Sequence, residues 1–137
     1  YHYFASREEL FRAVVMESLP RWREAVAAAT AAHDDPAAQV VAYADANLTL
    51  VAEGEHAVIT ALAQLSPRAF SDPWVVQMHG ELVEPLVAAL RDARVPDPEV
   101  VAELVNAVVH KAGAMVEAGA DVETVRAAMR PLLATLT

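Results

Sequence analysis

The chain has 137 residues, 55% of them hydrophobic and 21% charged, and a net charge of −9. That length suits one domain with a buried core, and the absence of cysteine excludes disulfides, zinc–thiolate sites and a cysteine nucleophile. The longest run without Asp, Glu, Lys or Arg, His56 to Pro67, is too short for a membrane span of about 20 residues, and a cytoplasmic location is expected.

Ser6 and Glu9 have the S-x-x-E form of a capping box, in which hydroxyl and carboxylate satisfy free N–H groups at a helix start. The helix they open places Leu10, Phe11, Val14 and Val15 on one face and runs through Trp22 and Val26 to about Ala32. A kink or break is expected at Pro20, which lacks the N–H. Asp35-Pro36 starts a second helix that ends before Gly54. A third, short helix covers about Glu55 to Leu65 and stops at Ser66-Pro67. Ser71-Asp72-Pro73 opens a fourth, with Val75, Met78, Leu82, Leu86 and Leu90 on one face and Pro85 as a kink.

Pro96-Asp97-Pro98 interrupts the chain, a fifth helix runs to about Ala118 before Gly119, and Asp121 caps a sixth. The fold predicted is all-α with six helical segments. Nearly all of the fifth helix outside the stripe Glu103, Asn106, His110, Gly113, Glu117 is apolar: Val101, Leu104, Val105, Val108, Val109, Ala112, Met115 and Val116. A helix apolar over most of its circumference needs cover on more than one side. The sixth offers Val122, Val125, Met129, Leu132 and Leu136 at alternating spacings of three and four. Together these predict a homodimer through a four-helix interface, two helices from each subunit. The alternative is a monomer in which the fifth helix is central.

Charge is unevenly distributed. Arginines and glutamates balance within residues 1–30, so the acidic excess lies wholly after residue 30. An acidic body repels nucleic-acid phosphates, and any DNA contact belongs at or before Tyr1.

The opening run Tyr1-His2-Tyr3-Phe4-Ala5-Ser6-Arg7-Glu8-Glu9-Leu10-Phe11 resembles the stretch that closes the DNA-binding domain of TetR-family transcriptional regulators. There an aromatic-rich end of the recognition helix is followed by an S-K/R-x-x-L motif that launches a long connecting helix. The resemblance covers about eleven residues, and the order of helices after it agrees with the family's C-terminal domain. It implies that residues 1–5 are a remnant of the helix-turn-helix recognition helix and turn. Residues 6–137 would be a ligand-binding and dimerisation domain, with 6–32 as the connecting helix. It also implies operator DNA as a partner through a helix-turn-helix domain upstream of Tyr1. Tyr1, His2 and Arg7 would then lie near the DNA backbone, where phenol, imidazole and guanidinium contact phosphate.

The resemblance implies a ligand-responsive regulator, a repressor released by a small effector. Candidate pocket residues are polar or aromatic groups within apolar helical faces: Tyr43, Asn47 and Leu50 on the second helix; Phe70, Trp74 and Met78 where the third gives way to the fourth; Asn106 and His110 on the fifth. They suit a mostly apolar ligand with one or two hydrogen-bonding groups. The alternative function is a stand-alone helical homodimeric interaction module without DNA binding.

No enzyme activity, cofactor or metal is expected. No two histidines share a helical turn, and neither Glu53-Gly54-Glu55-His56 nor His33-Asp34-Asp35 has the spacing that sets two ligands on one helical face. There is no Gly-rich phosphate loop and no G-x-S-x-G. Glu81 and Glu84 read as a solvated face rather than an acid–base pair.

Overall fold

A computed structural model describes residues 7–54 and 73–136, with the backbone alone at Arg7, Glu8, Phe11, Trp74, Val75, Met78 and His79. The described residues form helices joined by turns, with no strand among them.

Helix α1 spans Arg7–Ala31 and runs without interruption through Pro20. Its buried residues Val15, Leu19, Trp22, Val26 and Thr30 repeat every three or four positions, the spacing that keeps one helical face inward. Thr30 is satisfied locally, its hydroxyl donating to the Val26 carbonyl at 2.8 Å. Helix α2, Pro36–Ala52, begins as the Asp35-Pro36 pair predicts, with the Asp35 carboxylate accepting from the Ala38 N–H at 3.3 Å. Its inner face of Val40, Tyr43, Ala44 and Leu48 is almost completely closed to solvent.

Helix α3 covers Pro73–Asp92 and buries Leu86, Val87, Ala89 and Leu90. It ends with the Val95 N–H on the Leu90 carbonyl and the Arg94 N–H on the Arg91 carbonyl, a Schellman closure that forces Arg94 to φ 60°. Helix α4, Pro98–Glu117, closes in the same way, but with Gly119 at φ 110° in the left-handed position. Helix α5, Val122–Ala134, is capped by Asp121, whose carboxylate accepts from both the N–H and the hydroxyl of Thr124.

The packing is centred on α2, which touches α1, α3, α4 and α5. Leu48, Leu86, Leu90 and Leu133 are among the most deeply buried side chains, each contributing about 2 kcal/mol by removal from water. Two features of the expected fold are corrected here. The described residues hold five helices rather than six, and the expected short third helix falls in residues 55–72, outside the described residues. Most residues of the expected four-helix seam with a second subunit are instead taken up within the chain itself. Val105, Val109 and Ala112 of α4 and Val125 and Met129 of α5 are buried in the chain's own core, and Val101, Val108, Val116, Val122 and Leu136 pack against it. The apolar seam read on α5 meets α2 and α4 of the same chain. Of the proposed interface residues, Leu104, Met115 and Leu132 are exposed.

Candidate functional site

Asn106 and Thr30 are the buried polar residues in the described core apart from the phenol of Tyr43. Placing an amide or a phenol among valines and leucines is unfavourable unless it finds a hydrogen bond. The sequence brings such partners together from helices that are distant in the chain. The Tyr43 hydroxyl donates to Asn106 Oδ1 at 2.8 Å, joining α2 to α4. One turn along α2, the Asn47 amide donates through Nδ2 to the Tyr43 carbonyl at 2.8 Å. Its Oδ1 accepts from the Trp22 indole N–H at 2.9 Å, joining α2 to α1. Both ends of the Asn47 amide are thereby engaged.

Tyr43 and Trp22 belong to one buried core with the apolar Val26 from α1, Val40 and Leu48 from α2, Leu86 and Leu90 from α3, and Val105 and Val109 from α4. Burial pushes the Tyr43 phenol from its ordinary 10 up to about 12, because the phenolate would lose its hydration. On the same side of α4, Gly113 leaves room for Val51. A Cβ there would lie 3.4 Å from Val51 Cγ2, so the missing side chain lets α4 and α2 approach.

The sequence-predicted pocket residues divide sharply. Tyr43, Asn47 and Asn106 come together in one hydrogen-bonded line. Leu50 packs partly buried against the core, whereas His110 is exposed on α4. Trp74 and Met78 lie on α3 without described side chains, and Phe70, Tyr1 and His2 are outside the described residues. Arg7 begins α1, but its side chain is likewise outside them. Trp22 joins the site unforeseen. Its helical spacing reads as core, and nothing local to α1 signals that its N–H meets an amide twenty-five positions on.

A second polar group was also missed. Asp45, the one charged residue of α2, receives Arg130 through Nε at 3.3 Å and Nη2 at 2.9 Å on Oδ2. Arg126 donates to the Asp45 carbonyl and to the Thr49 hydroxyl, with Nη1 3.4 Å from Asp45 Oδ1, an attraction without a formed hydrogen bond. The sequence signal was available: a lone acid in an apolar helix and two arginines four positions apart on another. No metal-binding group of three or more His, Cys, Asp or Glu side chains occurs among the described residues, and none of the described helices is long and apolar enough to cross a membrane. No family model, curated protein or solved structure matches the chain.

Proposed function

We propose that this chain is the effector-binding body of a TetR-like transcriptional regulator, a repressor released from DNA by a small, mostly apolar molecule. The observation that carries the reading is the length of α1. Its 25 described residues, Arg7–Ala31, form one helix that in the sequence comes after the aromatic run, as a helix connecting a DNA reader to an effector-binding body would. DNA enters the proposal through a helix-turn-helix domain preceding Tyr1, since the chain's acidic excess opposes phosphate contact elsewhere.

The effector's place in this proposal is the Tyr43–Asn106 contact. A ligand bearing a hydroxyl or an amide replaces the bond between these two side chains while its carbon skeleton lies among Val26, Leu86, Leu90 and Val109. The ligand is uncharged, because the buried residues among those described include no ionised group and burial holds Tyr43 in its neutral form. The regulator acts as a homodimer in this reading.

The test is selection of duplex DNA from a random pool by the intact protein, including whatever precedes Tyr1, at moderate salt. The expected outcome is enrichment of a palindromic site, as a two-fold dimer selects. A protein that enriches no sequence is not a regulator of this kind. The helical interaction module would remain if that protein still self-associates.

A further inference from the structure

Helix α1 packs on α2 and α3, while α4 packs on α2, α3 and α5; contact between α1 and α4 themselves is at most slight. Among the described residues, α2 and α3 are therefore the main packed connection between the two helices. Described polar links through α3 include Arg23–Glu81 to α1 and Arg91–Glu99 to α4, both solvent-exposed ion pairs. Such pairs are screened and easily rearranged. The links through α2 differ in kind, because they are neutral, buried or half-buried, and directional.

We infer that Trp22, Asn47, Tyr43 and Asn106 form one coupled unit that ties the position of α1 to that of α4. Asn47 is the positioning residue. Its Nδ2 is held on the Tyr43 carbonyl, so its Oδ1 must face Trp22. The same residue of α2 that offers this carbonyl carries the phenol bonded to Asn106. Rotating or translating α4 enough to break the Tyr43–Asn106 bond leaves a buried phenol seeking a new acceptor. The adjustment of Tyr43 moves the carbonyl that orients Asn47, and with it the acceptor for the Trp22 indole. Coupling through contiguous hydrogen bonds with strict geometry is the physical form such transmission takes. It holds whichever molecule enters the core and does not require the chain to bind DNA.

The test is a double-mutant cycle in the intact protein. Trp22→Phe removes the indole N–H and keeps a ring; Asn106→Leu removes the amide and keeps the volume. The two side chains make no hydrogen bond to each other, so independent sites would multiply their effects on the folding equilibrium constant. The expected double mutant deviates from the product by more than about threefold, beyond the twofold scatter of uncoupled pairs. The control pairs Trp22→Phe with Val125→Ala in α5, which lies off the line, and multiplies.

A second readout needs no large loss of stability. In Tyr43→Phe, the Trp22 indole proton, assigned by its loss in Trp22→Phe, is expected to exchange with solvent about tenfold faster. The peptide amides of α5 keep their rates. Multiplicative effects in the cycle, or an indole proton unmoved by Tyr43→Phe, would overturn the proposal.

Discussion

The Tyr43 hydroxyl sits where water cannot follow, and this links the ionisation of one residue to folding. Its folded value of about 12 lies above the ordinary 10 of a solvated phenol. The neutral form therefore contributes its stability in full below pH 10, and that contribution is lost as pH rises through 12. Relative to Tyr43→Phe, the unaltered chain is expected to lose about 2 kcal/mol between pH 9 and pH 12, read from urea unfolding at each pH. Parallel curves for the two proteins would mean that the phenol is solvated in the folded state. At this scale the sequence was informative about Tyr43, Asn47 and Asn106, because polar side chains on apolar helical faces must find partners. It was silent about which partners, since the Trp22–Asn47 and Tyr43–Asn106 bonds depend on how helices cross.

Helix ends show the same division at the scale of elements. Asp35-Pro36, Gly54, Gly119 and Asp121 all mark boundaries near where the chain turns, because each carries its local chemistry with it. The end of α3 carries no such mark. It uses the same two-bond closure as α4 but places Arg94 in the left-handed conformation that α4 gives to Gly119. A Cβ in that conformation is unfavourable by about 1 kcal/mol, so Arg94→Gly is expected to raise stability by about that amount in thermal or urea unfolding. A neutral or destabilising result would show that the arginine side chain makes compensating contacts. Pro20 errs in the opposite direction as to a break, since its sequence signal allows one and α1 continues through it as one helix. Loss of one N–H from the exposed side of a long helix leaves the buried residues on both sides of it able to keep the helix in register.

The molecule as a whole is a set of helices gathered on α2, and the apolar periodicity that indicated all-α structure could not assign that central place. Periodicity shows that a face is covered without showing by what, which is why α4 and α5 read as a seam for a second subunit when they enclose α2. The polar tie between α5 and α2 gives a prediction at this scale. Arg126 is largely buried, with 14% of its side chain exposed beside the Asp45 carboxylate. Asp45→Asn leaves that guanidinium with only the solvent-exposed Glu123 carboxylate, 3.4 Å from its Nε, and is expected to lower stability by about 1–3 kcal/mol. Amide exchange should accelerate more in α5 than in α1. Equal acceleration in both would mean that the tie holds no particular helix.

The central place of α2 also has a consequence in time. During synthesis its apolar face and its single carboxylate emerge long before the residues that cover them, because Arg126 and Arg130 follow Asp45 by 81 and 85 positions. At ordinary elongation rates that delay is roughly 4–17 s. For most of it, until α4 follows, the described helices can build only the contacts among α1, α2 and α3, with Tyr43 lacking Asn106 and α2 lacking its cover from α4 and α5. A ribosome-bound chain halted before α4 would therefore present α2 as a sticky surface, and the emergence of the last helix would withdraw it.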